Sequence, residues 1–208
     1  MSNPKPIDII LHRASHTLEV AFDDGARFRL PCEYLRVESP SAEVQGHGPG
    51  QRVLVLGAGK SGALVAVQAR ENLGATGRVV AADRSPAALA ALAGLGACDQ
   101  TRELDATDAV GALARFEAAG GRFDLVVNCA SVAGTEMAAL LAVKDGGAVI
   151  FFSMATSFTG AALGAEGVGK DATLIIGNGY VPGHAELTLD LLRRHPRLRA
   201  LFEQRYAR

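Results

Sequence analysis

The chain has only three cysteines in 208 residues, Cys32, Cys98 and Cys129. They are odd in number and far apart, with no CxxC or Cys/His spacing, so neither a disulfide framework nor a zinc site is indicated. Reduced, buried thiols in a cytoplasm are the expectation. Neither sign of charge is in excess: the net charge is −1, which gives no reason to expect nucleic acid or an anionic membrane as a partner. The six arginines of "RRHPRLRALFEQRYAR" read as the solvated end of a helix. The start "MSNPKPIDII" has no signal-peptide core, and no uninterrupted apolar run is long enough to cross a bilayer. What remains is ordinary globular composition, 49% hydrophobic and 21% charged, in a chain that can hold one good domain plus a small appendage.

The pattern changes at Gln51. Ahead of it the residues read as antiparallel β. Ile7, Ile9 and Leu11 share one face of a strand, and Leu18, Val20 and Phe22 do the same. The turn Asp23-Asp24-Gly25 leads to Phe28 and Leu30, alternating with Arg27 and Arg29. Period-two alternation around an Asp-Gly turn predicts a hairpin. A short turn of helix, "CEYLRV", and the loop "ESPSAEVQGHGPGQ" follow. From Arg52 onward short apolar strands alternate with alanine-rich helices, beginning with "RVLVLG" and "KSGALVAVQAREN". Ser85 is the expected N-cap of the next helix, with Pro86 at its first position. A helix is expected over "GTEMAALLAVKDGG", then the strands "AVIFFSM" and "ATLIIGNG" and a final helix "HAELTLDLLRRH". The fold class is therefore α/β: residues 1–51 form a small antiparallel β appendage, and residues 52–208 a Rossmann-type doubly wound parallel sheet.

Gly57-Ala58-Gly59-Lys60-Ser61-Gly62 satisfies G-x-G-x-x-G, directly after a strand and opening a helix. Gly57 permits the tight turn, Gly59 lets a pyrophosphate approach the backbone, and Gly62 lets the helix pack close to the strand. The helix N-terminus presents N–H groups to the phosphates, and Lys60 or the Ser61 hydroxyl adds a contact. A P-loop would need glycine where Leu54 stands. Asp83, twenty-one residues beyond Gly62, is placed to accept hydrogen bonds from both ribose hydroxyls and to repel a 2′-phosphate, which favours NAD over NADP. Arg84, next to it, can stack on adenine or tolerate a phosphate.

Ligands in such folds lie across the carboxyl ends of the strands. Asn128, Ser153 and Asn178 stand at three of those ends and complete the expected cofactor-facing set. For Asn128 and Asn178 the alternative is strand termination with local backbone bonding. Candidates for proton transfer are Glu136, Glu166, Lys170, Asp171, Tyr180 and His184. The glycine-rich stretch 156–171, with Glu166 and Lys170, reads as a lid or substrate-facing loop. Alternatively Glu166 and Lys170 pair at helical spacing, and His184 merely starts the last helix on the surface. No metal site is expected.

The stretches "VLVLGAGKSGALVAVQARENLG", "FFSMATSFTGAALGAEGVGKD" and "IIGNGY" closely resemble the cofactor domain of the L-erythro-3,5-diaminohexanoate dehydrogenases, over about three quarters of the chain. That resemblance implies NAD-dependent oxidative removal of the 3-amino group of a diamino acid in lysine fermentation. The family is similar to medium-chain dehydrogenases, whose catalytic groups come largely from a separate N-terminal domain. The front segment, "FDDGARFRLPCEYLRVESPSAEVQGHGPGQ", instead resembles the first half of the gamma-butyrobetaine-hydroxylase-like N-terminal family. The second Asp-Asp-Gly-His turn and the tryptophan of that family are missing, and Cys32 stands without zinc-binding companions. His47 is thus expected in a loop, not on a metal.

Two family fragments therefore meet near Gln51, without the domain that would hold the diamino acid. The expected function is an NAD-dependent oxidoreductase completed by a partner chain or by a homo-oligomer. The alternative is a non-catalytic NAD-binding module or a scaffold protein. The front hairpin is expected to pack on the larger domain or on another copy.

Overall fold

In a computed structural model of the chain, residues 4–15, 17–31, 50–177 and 181–206 are described. The expected helix at 32–37, Cys32, His47, Asn178 and Tyr180 lie outside the described residues. The chain divides into two compact units, residues 1–45 and residues 46–208.

The described part of the first unit is a three-stranded antiparallel sheet in the order β1-β2-β3, with β1 (Pro6–His12), β2 (Thr17–Phe22) and β3 (Arg27–Pro31). Gly25 takes φ +85° in the Asp-Gly turn, where Asp24 caps the Ala26 N–H at 2.9 Å. Leu11 opposes Leu18, which opposes Leu30, and Ile9 opposes Val20, which opposes Phe28. The period-two pattern therefore puts the apolar residues on one face, as the alternation predicts. On the other face Glu19, only 8% exposed, accepts from His12 at 3.0 Å, Arg29 at 3.0 Å and Arg27 at 3.3 Å. Hydrogen bonds from His12 first, then Arg29, hold its carboxyl below the usual range.

The second unit contains a six-stranded parallel sheet. Its strands are β4 (Arg52–Leu56), β5 (Arg78–Asp83), β6 (Gln100–Glu103), β7 (Phe123–Asn128), β8 (Val143–Phe151) and β9 (Ala172–Ile176). They lie in the order β6-β5-β4-β7-β8-β9, which is the dinucleotide-binding arrangement with its reversal between β4 and β7. The described helices are α1 (Lys60–Leu73), α2 (Pro86–Ala93), α3 (Ala109–Ala118), α4 (Glu136–Ala142), α5 (Phe158–Gly167), α6 (His184–Arg194) and α7 (Pro196–Tyr206). The central strands are apolar throughout because helices cover both faces. Leu54, Leu56, Val80, Phe123, Val126 and Phe151 are nearly inaccessible. The Phe116 and Phe123 rings meet edge to face at 5.9 Å. Ser85 caps α2 as expected, accepting from the Ala88 N–H at 3.2 Å.

Three elements differ from the sequence expectation. The helix expected over 134–147 stops at Ala142, and "VKDGG" already belongs to β8. Val143 is β-branched and suits a strand. Gly146 has φ +73°, and a side chain at Gly147 would meet the Asp124 carbonyl oxygen at 2.8 Å. The pairing slips here, from Phe123 opposite Val143 to Leu125 opposite Ala148. Second, most of 156–171 is helix α5 and not a loop, with the Ser157 hydroxyl accepting from the Gly160 N–H at 3.0 Å. Third, α7 follows α6 after His195, whose ring bonds Glu71 of α1 at 2.7 Å. No helix among the described residues is long and apolar enough to cross a membrane.

Candidate functional site

The glycine turn lies at the carboxyl end of β4, beside the strand-order reversal. Its three glycines meet three different constraints. Gly57 has φ +97°, and a Cβ there would fall 2.8 Å from the Ala130 nitrogen. A Cβ on Gly62 would overlap the Gly57 carbonyl oxygen at 1.8 Å, so α1 packs against β4 only because that position is bare. A Cβ on Gly59 would meet nothing within 4 Å. No contact within the fold demands glycine there, which leaves open space above the backbone. Gly59 is the N-cap of the 14-residue α1 and offers no side-chain cap. The positive end of the helix therefore faces that space. Lys60 is exposed and Ser61 half-buried at the same end.

Asp83 closes β5 and is held rigidly. Its Oδ2 accepts from the Ala58 N–H at 2.6 Å and its Oδ1 from the Ser85 N–H at 2.8 Å. Each oxygen keeps a further lone pair for a ligand. Asp83 and Arg84 line a pocket with Gly57, Leu104, Asp105 and Val132. A second pocket is lined by Ser61, Cys129, Phe152, Ser153 and Met154. Ser131 lines both. The two pockets thus flank the glycine turn and share a wall.

Asn128 does not face the crevice. It is wholly buried, donates to the Thr135 hydroxyl at 2.8 Å and accepts from the Ala130 N–H at 3.1 Å. It shapes the loop after β7, and that loop supplies Ala130, Ser131 and Val132 to the wall. Ser153 does line the second pocket, where its hydroxyl accepts from the Ala155 N–H at 3.2 Å.

The proton-transfer candidates are scattered. A crossover from the carboxyl end of β8 must return to the start of parallel β9, so α5 carries the chain away from the crevice. Lys170 therefore sits at the opposite edge of the sheet. Its ammonium donates to the Val143 carbonyl at 3.1 Å and pairs with Asp145 at 3.3 Å, not with Glu166. Asp171 directly precedes β9 at that same edge, and Glu166 is exposed near the end of α5. From the segment between β8 and α5, Phe152, Ser153, Met154 and Ala155 line the second pocket. His184 opens α6, its ring bonded to the Val181 carbonyl at 2.8 Å. Glu136 is 6% exposed, inside the fold.

Cys129 follows Asn128 at the carboxyl end of β7 and lines the second pocket. Burial pushes its thiol up to about 12 and the Cys98 thiol up to about 11, so neither is a nucleophile at neutral pH. Ser131, Asp105 and Thr135 also line the crevice without having been anticipated. Only their place just after a strand could have pointed to them. Among the described residues no group of three or more His, Cys, Asp or Glu side chains could hold a metal ion.

The chain is similar to L-erythro-3,5-diaminohexanoate dehydrogenase. It is 48% identical over 199 residues to that enzyme of Acetoanaerobium sticklandii, covering 90% of this chain and 58% of the relative. It is 43% identical over 166 residues to that of Fusobacterium nucleatum, covering 76% and 47%. The chain thus spans about half the length of the curated relatives it matches. Residues 9–80 match the gamma-butyrobetaine hydroxylase-like, N-terminal family. Neither similarity stops at Gln51: the family match runs into β5, and a match over 90% of the chain must enter the front segment. The fold is that of alcohol dehydrogenase from Thermotoga maritima, with a TM-score of 0.60 at 18% identity over 77% of this chain and 44% of that one.

Proposed function

We propose that the crevice holds NAD and that the second unit is the cofactor half of an amino-acid oxidoreductase of the diaminohexanoate dehydrogenase type, acting in lysine fermentation. The observation that carries this reading is the pair of pockets joined at Ser131 on either side of the glycine turn. A dinucleotide needs two compartments and a diphosphate seat between them. Adenosine occupies the pocket of Asp83 and Arg84, with the carboxylate accepting from the ribose hydroxyls. The diphosphate lies over Gly59 and the start of α1. Nicotinamide lies against Ser61, Ser131 and Ser153. Bound there, NAD supplies the hydride acceptor for oxidation of a carbon bearing an amine.

The chain's own residues orient and shield. Phe152 and Met154 are largely exposed beside the second pocket and give the substrate side an apolar rim. The half-buried Cys129 thiol, its ionisation opposed by desolvation, adds no charge to that pocket. The base that takes a proton from the amine comes from a partner chain or from a segment beyond the described residues, because Lys170 and Asp171 lie at the other edge.

Calorimetric titration of the full chain with NAD, NADP and ADP-ribose tests the cofactor reading, with NAD expected to bind at least tenfold tighter than NADP. Failure of both NAD and ADP-ribose to bind overturns it. Formation of NADH from 3,5-diaminohexanoate tests the activity. A second reading, an NAD-binding module without turnover, is favoured by the distance of Lys170 and Asp171 from the crevice. Binding of NAD without NADH formation, by the chain alone and in every homo-oligomer or partner complex it forms, would decide for it.

A further inference from the structure

Between the two loops that wall the crevice sits a buried acid with no role in the reading above. Glu136, the first residue of α4, is 6% exposed, and its Oε1 accepts from the Ser157 N–H at 2.6 Å. Thr135, beside it and 3% exposed, takes the Asn128 amide at 2.8 Å. Adjacent residues are therefore tied to different loops. Thr135 is tied through Asn128 to Ala130, in the loop between the two pockets, and Glu136 is tied to the start of α5.

The stretch from Phe152 to Ser157 has few other restraints. Phe152 N–H reaches the Asn128 carbonyl at 3.1 Å and Thr156 N–H turns back to the Ser153 carbonyl at 3.1 Å. The Ala155 N–H also turns back locally, to the Ser153 hydroxyl at 3.2 Å, so the bonds that tie the stretch to other elements are those of Phe152 to Asn128 and of Ser157 to Glu136. Close packing supports the anchor: a Cβ on Gly164 of α5 would lie 3.1 Å from both Leu140 and Met137 of α4. Burying a carboxyl group is costly unless it is satisfied, so its place between two site loops calls for a purpose.

We infer that Glu136 is a positioning residue for the nicotinamide half of the dinucleotide. Holding the Ser157 N–H sets the height of Ser153, Met154 and Ala155 against Ser61 and Ser131, and so the shape of the second pocket. The inference rests on the reading of the crevice as an NAD site. What the anchor needs is reach, an acceptor oxygen at the end of a three-carbon arm. Charge is secondary.

The test uses the full chain as wild type, Glu136→Gln and Glu136→Asp, titrated with NADH and with ADP-ribose, which lacks the nicotinamide. Gln keeps the reach and loses the charge, whereas Asp keeps the charge and withdraws the oxygen by one methylene. Glu136→Asp is expected to lose about tenfold in NADH affinity, with loss of the fluorescence change of bound NADH. Its ADP-ribose affinity should stay within about twofold of wild type. Glu136→Gln should behave as wild type with both ligands. Equal losses of NADH and ADP-ribose in Glu136→Asp would reduce Glu136 to a general structural residue and overturn the proposal. So would loss in Gln with retention in Asp, or no change in either variant. If Glu136→Gln fails to fold, the ratio of the two affinities in Glu136→Asp still decides; if Glu136→Asp fails, Glu136→Ala, which removes the acceptor, is read by the same ratio. Wild-type protein that binds neither ligand removes the NAD reading itself, an outcome visible without any variant.

Discussion

Asp83 Oδ2 lies 2.6 Å from the Ala58 nitrogen, so the end of β5 is bonded directly to the backbone of the glycine turn. The Ala58 N–H is buried and has this carboxylate as its acceptor. Removing the acceptor leaves a donor without a partner, at a cost of about 1–3 kcal/mol. Asp83→Ala should therefore lower stability by that amount and weaken NAD binding about ten- to a hundredfold. Asp83→Asn keeps one acceptor oxygen, costs less in stability, and removes the repulsion toward a 2′-phosphate. Its preference for NAD over NADP should shrink. Calorimetry with both dinucleotides, beside thermal unfolding, checks each part.

The glycines separate packing from binding. Gly62→Ala places a methyl 1.8 Å from the Gly57 carbonyl, and the fold can relieve this only by moving α1 off β4. A loss of about 3 kcal/mol or more is expected. Gly59→Ala meets open space at φ −74°, so its stability should change by less than about 0.5 kcal/mol. The new methyl stands where the diphosphate would lie, and NAD affinity should fall about tenfold. Equal effects on stability and binding in both variants would remove the distinction between the two positions.

The strand-helix alternation from Arg52 and the glycine spacing are local signals, and both survive into the structure. β4, α1, β5 and the cap at Ser85 stand where the pattern puts them, because each depends on neighbours within a few residues. The failures are of another kind. "AVKDGG" reads as the tail of a helix, yet Val143 pairs with Phe123 across the sheet, a partner no local pattern announces. Lys170 follows a glycine-rich run that looks like a loop at the ligand edge. The need to return to the start of β9 carries it to the other edge, where Asp145 receives it. Asn128 ends a strand as expected, but its amide bonds inward to Thr135. Which way a side chain turns at a strand end is a tertiary decision.

The pH dependence of the small sheet follows from Glu19. Its folded-state value is lowered by His12 and Arg29 from an ordinary 4.5. A carboxyl with a depressed folded value contributes stability that is present above the unfolded value and is lost as pH falls through the folded one. Amide protection of β2 should therefore hold above about pH 4.5 and decline below it. Glu19→Gln should show weaker protection and little change over that acid range. Hydrogen exchange of the full chain, corrected for intrinsic rates, makes the comparison. An identical acid decline in both proteins would show that the cluster does not govern it.

Cys129 lines the second pocket and would invite a nucleophilic role if its thiol ionised. Burial raises it to about 12, and Cys98 reaches about 11 although Arg70 opposes the shift. Even for Cys98 the thiolate at pH 8 is then on the order of one part in a thousand. Iodoacetamide should leave both residues of the native protein almost unmodified at neutral pH, and modify both once the chain is unfolded in denaturant. Cys129→Ala should keep NAD affinity within about threefold, since only a small apolar contact is lost. Rapid alkylation of native Cys129 with simultaneous loss of NAD binding would instead mark it as an ionised group at the nicotinamide. Peptide mass spectrometry across a labelling time course distinguishes the two.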